Sequence, residues 1–158
     1  MSASAMERTL VLIKPDGVQR ALVGEILSRF EKPGFKVIAL KLVHPTADIA
    51  GTHYADDQAW LTSVGEKTKG SYEKRGIKVK DDALTIGKRI RQQLMDFISM
   101  SPVVAIVLEG HGVIEKVRTI VGPTSPAAAA PGTIRGDLAL DSYGLADESG
   151  RPIQNLIH

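Results

Sequence analysis

Three features of the chain predict an α+β sandwich: short apolar runs of strand length, amphipathic runs of helical period between them, and glycine or proline at the joins. The runs alternate as strand, helix, strand, helix, strand, helix, strand within 158 residues. Two βαβ-type units in so short a chain suggest the ferredoxin-like arrangement βαββαβ, a four-stranded antiparallel sheet with helices packed on it. A small parallel α/β sheet competes with it, and periodicity alone does not choose between them.

Thr9–Lys14 reads as a buried strand, because it is short, apolar and closed by the turn signal Pro15-Asp16-Gly17. Val23, Ile26, Leu27 and Phe30 recur at helical spacing until Pro33-Gly34 stops them. Phe35–Val43, apolar with interspersed lysines, suits a second strand with one wetter face. Thr46 caps a short helix carrying Asp48, Ile49 and Tyr54. Thr62–Lys80 has six Lys or Arg residues, three glycines and little periodicity, and is expected to be an exposed basic excursion. From Asp82 the helical pattern returns, with Ile86, Ile90, Leu94, Phe97 and Ile98 on one face. Val103–Glu109 is a third strand, and Val113, Val117, Ile120 and Val121 make a helix that ends at Gly122-Pro123. A long loop, Thr124–Gly136, leads to a last apolar piece, Leu156-Ile157.

Composition excludes several classes of function. Lys plus Arg is 20 against 18 for Asp plus Glu, so a dedicated polyanion binder is not indicated. Cysteine is absent, which removes disulfides, thiolate metal sites and thiol nucleophiles and fits a reducing compartment. Met1–Ala5 is small and polar and is expected to be a disordered leader. The apolar run Thr9–Ile13 is too short for an export signal, and Val103–Leu108 is far short of the roughly eighteen residues of a spanning helix. A cytoplasmic protein with no membrane partner is expected. Four histidines, His44, His53, His111 and His158, lack metal-ligand spacing, so no side-chain metal cage is expected.

The familiar phosphate loops fail. Gly65–Ser71 has the glycine spacing of a P-loop but no lysine after the second glycine, and Gly110-His111-Gly112 has no third glycine. Lys14, at a strand exit, reads alone as a solvated end, and Asp16 as a turn former. Arg118 sits off the apolar face of its helix, where a solvated arginine is the plain reading. Arg135 is different: it lies in Pro131-Gly132-Thr133-Ile134-Arg135-Gly136, where glycines let a ligand approach the backbone and no charge partner is adjacent. Thr124 is a turn hydroxyl or a phosphate donor. One lysine, two arginines, a hydroxyl and a histidine together are the chemistry of a polyphosphate site with an imidazole nucleophile.

The ordered strings Ile13–Val18, Pro102–Ala105, Gly122–Pro126, Pro131–Asp137 and Asn155–His158 strongly resemble those of nucleoside diphosphate kinases. The resemblance covers Glu7–Tyr54, Leu94–Asp137 and the segment from Arg151. It implies ping-pong transfer of the γ-phosphoryl group from a nucleoside triphosphate, usually ATP, to a nucleoside diphosphate. By the same resemblance His158 is the nucleophile that becomes phosphohistidine, and Lys14 contacts phosphate and ribose. Arg118, Thr124 and Arg135 hold the β- and γ-phosphates, Asn155 bonds the ribose hydroxyl, and Tyr54 packs near the histidine. Mg²⁺ rides on the phosphates and water. Tetramers or hexamers, with the Thr124–Gly132 loop reaching neighbouring subunits, and broad nucleoside specificity are also implied.

Three departures accompany the resemblance, in a chain read as one domain over residues 1–158. An insertion lies around residues 60–90, where the family supplies its base-stacking aromatic. Counting back from Pro102 gives Ile90 for that position, and counting forward from Tyr54 gives Trp60. Leu138–Gly150 is lengthened and brings Asp141, Asp147 and Glu148 toward the phosphate site, where they oppose anion binding unless they point away or hold water on Mg²⁺. The family also continues past the histidine with a His-x-Ser motif and an orienting glutamate, so the natural chain is expected to continue beyond His158. The alternative is a catalytically impaired nucleotide-binding or assembly module. The basic stretch Lys67–Arg91 reads as a solvated surface, and nucleic-acid binding is not expected.

Overall fold

Three apolar runs form strands β1 (Met6–Ile13), β2 (Lys36–Val43) and β3 (Val103–His111) in a computed structural model that describes residues 6–158. The leader expected at Met1–Ala5 lies outside the described residues. In chain order the helices are α1 (Pro15–Gln19), α2 (Val23–Glu31), α3 (Ala47–His53), α4 (Gln58–Lys74), α5 (Ala83–Ser99), α6 (Val113–Val121), α7 (Ile134–Leu138) and α8 (Tyr143–Glu148). A 3₁₀ turn at Pro126–Ala128 and the start of α7 occupy what reads in sequence as one long loop. The chain divides into two compact units, one of the chain through His44 with Ser101–His158, the other of Pro45–Met100.

In the first unit the strands pair antiparallel in the order β1-β3-β2. Thr9 stands opposite Leu108 and Ile13 opposite Val104, while β2 carries a bulge between Val37 and Ala39. The two-residue side-chain period sends Val11, Ile13, Val104, Ile106 and Leu108 to one face. There they pack with Ile26 and Phe30 of α2 and Val113, Val117 and Val121 of α6. Gly122 ends α6 at φ +85°, a left-handed conformation that an L side chain resists.

The sheet has three strands among the described residues, which corrects the expected four. Leu156-Ile157 does lie beside β1, but it makes a single bridge, Ile13 to Ile157. The cause is local. A ladder needs a run of extended residues, and Leu156 stands at φ +68°, so the segment cannot continue as a strand.

The second unit corrects the basic excursion, because α4 runs through most of it. Asp57 caps α4 by accepting from the Trp60 N–H at 2.6 Å, and Asp82 caps α5 by accepting from Thr85 at 2.7 Å. A Cβ built at Gly65 would fall inside the Ala83 carbonyl, and one at Gly87 inside that of Leu61. The two helices therefore meet backbone to backbone through glycine. That contact stripe carries little apolar side chain, which is why periodicity misses it. The glycine spacing of Gly65–Ser71 thus belongs to a helix interface, not a phosphate loop. Replacing Gly65 or Gly87 by alanine is expected to cost about 3 kcal/mol by overpacking, because the new methyl meets backbone and not a yielding side chain, against a gain of about 1 kcal/mol in helix propensity. Thermal unfolding reads this directly, and an unchanged melting temperature would show that the helices do not rest on these glycines. Among the described residues no helix is long and apolar enough to cross a membrane.

Candidate active site

The closing segment, residues 153–158, is held at every residue. Ile153 accepts from Lys14 Nζ at 3.5 Å, and the Gln154 N–H donates to Asp141 Oδ2 at 2.6 Å. The Asn155 carbonyl accepts from Arg135 Nε at 3.1 Å, and its Nδ2 donates to the Thr124 carbonyl at 2.7 Å. Leu156 donates to Asp16 Oδ2 at 2.9 Å and accepts from the Lys14 N–H at 2.8 Å. Ile157 donates back to the Asn155 carbonyl at 2.8 Å and accepts from an Arg135 amino nitrogen at 2.7 Å. His158 exchanges both backbone hydrogen bonds with Leu12, each 2.8 Å. Leu156 and Ile157 are buried, and the next residue, His158, is exposed. A fixed backbone thus presents the imidazole to solvent.

Lys14, buried, and Arg135, half-buried, are the desolvated cations beside this segment. The short helix α1 starts at Pro15, whose ring suits a first helical position, so Lys14 is left at the strand-to-helix corner. Lys14 is 5% exposed. Burial pushes its pKa down to about 8; Asp16 and Asp141 oppose that shift and Arg135 reinforces it. Arg135 gives three hydrogen bonds to main-chain carbonyls, those of Gly122, Asn155 and Ile157, and burial lowers its pKa from the ordinary arginine value. Two of its five N–H groups lie outside those three bonds. The arrangement is desolvated positive charge, which an anion relieves.

A pH dependence follows. Lys14 is charged below about pH 8 and loses its proton above it. Nucleotide affinity is therefore expected to fall severalfold between pH 7 and 9.5, measured by calorimetric titration, while Lys14→Met should bind weakly with a flatter profile. A wild-type profile as flat as that of Lys14→Met would remove the lysine from binding. The sign for folding is opposite. The folded pKa lies below the ordinary value of 10.5, so the unfolded chain holds more protons in this window, and the lysine's burial cost is relieved as pH rises through it.

The remaining sequence candidates stand as follows. Arg118 is exposed near the end of α6, and its guanidinium has no hydrogen bond or ion pair among the described residues. Thr124 is exposed just beyond that helix and offers its carbonyl to Asn155. These two therefore stand in the first unit with Lys14, Arg135, Asn155 and His158. In the second unit Tyr54 caps α3, its ring edge-on to His53 at 4.8 Å, and burial pushes its pKa up to about 12. Its carbonyl accepts from Arg91 at 2.6 Å. Ile90 is half-buried in the middle of α5, and Trp60 is 36% exposed in the first turn of α4.

From the sequence Asp16 reads only as a turn former and Asp141 as a charge that opposes anions unless it points away or holds water on Mg²⁺, and Arg151 has no assigned role. Asp16 is 7% exposed, and its Oδ1 is buried with no hydrogen-bond partner among the described residues; the same is true of Asn155 Oδ1. Asp141 takes both amino groups of Arg151, at 2.6 and 3.1 Å, and the N–H groups of Ser142 and Gln154. Burial alone would raise its pKa, but those hydrogen bonds outweigh it and hold the carboxyl below the usual range. The lengthened segment is thus a brace built on an ion pair, with α8 capped by Ser142. Aspartates in turn-rich loops give no sequence signal for such long-range partners. Among the described residues no group of three or more His, Cys, Asp or Glu is gathered to hold a metal.

A buried lysine, a half-buried arginine, an orphaned amide oxygen and an exposed imidazole are groups that phosphoryl transfer would use. The Nucleoside diphosphate kinase family matches residues 7–61 and 83–158. A nucleoside diphosphate kinase of Pyrobaculum aerophilum is 44% identical over 158 aligned residues, 97% of this chain and 86% of the relative. The crystal structure of an NDP kinase from Pyrobaculum aerophilum superposes with a TM-score of 0.94 at 43% identity, over 98% of this chain and 87% of that one. A transition-state mimic of the Borrelia burgdorferi nucleoside-diphosphate kinase, with bound vanadate and ADP, gives 0.76 at 35% identity, over 97% and 77%. The chain belongs to the nucleoside diphosphate kinase family. It is an enzyme of phosphoryl transfer between nucleotides, and the reading as a module without transfer is not favoured.

Proposed function

We propose that His158 is the phosphoryl acceptor of a ping-pong cycle. The lone pair of a ring nitrogen attacks the γ-phosphorus of a nucleoside triphosphate. The bond to the bridging oxygen breaks, and the diphosphate leaves with that electron pair. A second nucleoside diphosphate then takes the phosphoryl group through a terminal β-oxygen, restoring the imidazole. The observation that carries this reading is the exposed imidazole at the end of a segment clamped residue by residue, since positioning and charge neutralisation are most of phosphoryl-transfer catalysis.

Lys14, Arg118, Arg135 and Thr124 would neutralise and bond the phosphates, and the ribose hydroxyl would satisfy the buried Asn155 Oδ1. Tyr54, and Ile90 or Trp60, remain nucleotide-binding candidates on the family resemblance alone, and an apolar residue at the base suits broad nucleoside specificity. Mg²⁺ would be carried by the nucleotide, with phosphates and water as its ligands, and would supply charge neutralisation beside that of Lys14, Arg118 and Arg135. The chain is read as one kinase domain with an insertion, since the family match resumes after residue 82. A homo-oligomer, tetramer or hexamer, is supported by β2, an edge strand among the described residues that leaves Leu40 50% and Leu42 62% exposed. The absence of cysteine and the nucleotide substrates support a cytoplasmic location.

The test is intact mass before and after Mg²⁺–ATP, quenched at alkaline pH because phosphohistidine is acid-labile. One added phosphoryl group, lost on adding a nucleoside diphosphate, is the expected result. No adduct would overturn the reading.

A further inference from the structure

We infer that Asp16 is a positioning residue for phosphoryl transfer: through Oδ2 it holds the Leu156 N–H and with it the turn that aims His158. This rests on His158 being the phosphoryl acceptor. The geometry begins with Leu156, a non-glycine residue at φ +68° flanked by a hydrogen bond from the Ile157 N–H to the Asn155 carbonyl, 2.8 Å. A bond between residues two apart around a positive φ is the γ-turn that polypeptides adopt only under constraint. The Leu156 carbonyl is taken by Lys14, so its N–H points away from β1, where no main-chain acceptor meets it among the described residues. Asp16 supplies that acceptor at 2.9 Å, across 140 residues of chain, and both partners are buried.

Without the carboxylate two things change together. A buried N–H is orphaned, and the turn loses the contact that opposes its relaxation to extended backbone. In an extended strand side chains alternate faces, so relaxation at Leu156 rotates the direction in which the residue two places on presents its imidazole. Lys14 is carried by the end of β1 and Arg118 by α6, and Arg135, though it also bonds Asn155 and Ile157, keeps its bond to the Gly122 carbonyl, so the cations are displaced less than the imidazole. The effect should therefore fall on the transfer step and spare nucleotide binding. A merely stabilising hydrogen bond would leave the rate of the folded molecules unchanged.

The experiment is rapid-quench phosphorylation of the full chain by Mg²⁺–ATP at pH 7, with the maximal rate and the half-saturating ATP concentration measured separately. Asp16→Ala is expected to slow the maximal rate by about 10²-fold, the scale of an ångström-sized misplacement, with half-saturation changed less than threefold. Asp16→Asn keeps an acceptor for the Leu156 N–H and should recover to within roughly fivefold of wild type, again on the scale set by positioning. If Asp16→Ala does not fold, Asp16→Ser, whose hydroxyl falls short of Leu156, replaces it with the same expectation. Asp16→Ala at the wild-type rate would overturn the inference. So would a slow Asp16→Asn, or a loss confined to half-saturation, since either assigns the effect to charge. A wild-type chain that takes no phosphoryl group at all would instead overturn the role of His158.

Discussion

Replacing His158 by alanine is expected to abolish the phosphoenzyme and to lower transfer between nucleotides by at least about 10³-fold, the scale seen when a covalent nucleophile is removed. The fold should survive intact. The imidazole is exposed, so its loss opens no cavity, and both hydrogen bonds of residue 158 to Leu12 use the backbone alone. The cations remain, so nucleotide should still bind with near-normal affinity. The variant thus separates binding from chemistry. Coupled steady-state kinetics and intact mass after Mg²⁺–ATP make the measurement, and near-full transfer activity in the variant would show that another group carries the phosphoryl.

The second large effect belongs to Arg135. Alanine there removes a half-buried cation and three hydrogen bonds that tie Gly122, Asn155 and Ile157 together. The rate is expected to fall on the order of 10²–10³-fold, as for loss of a transition-state donor, and the melting temperature to fall with it. Arg135→Lys should rescue little, because one ammonium cannot replace a planar fork that meets three carbonyls in fixed directions. Kinetics at saturating nucleotide alongside thermal unfolding distinguish the two contributions. A lowered melting temperature with an unchanged rate would leave Arg135 a purely structural clamp.

Local chemistry made much of the fold legible. Thr46 caps α3, with its side chain accepting from Ile49 at 3.3 Å, because a hydroxyl before a helix has a nearby N–H to satisfy. The apolar runs of β1 and β3 and the periodic runs of α2, α5 and α6 announce themselves for the same reason: each pattern reports the face that element must bury. The α4 helix did not, because its buried stripe includes Gly65, a residue with no side chain to register in a hydrophobic pattern. The last strand did not either, since an apolar pair predicts burial, and Leu156-Ile157 is buried, but cannot predict the φ that stops it pairing further.

At the site the division follows the range of the interactions. The ordered family strings put Lys14, Thr124, Arg135, Asn155 and His158 forward as one site by resemblance, with Arg118 carried over between them, because each string is local and can be read without the fold. Only the tertiary structure decided what holds them: Asp16 reaching Leu156, Arg135 facing three carbonyls, Asp141 bracing Arg151 and Gln154. A carboxylate's partner 140 residues away is selected by packing and desolvation, and neither leaves a mark on the few residues around it.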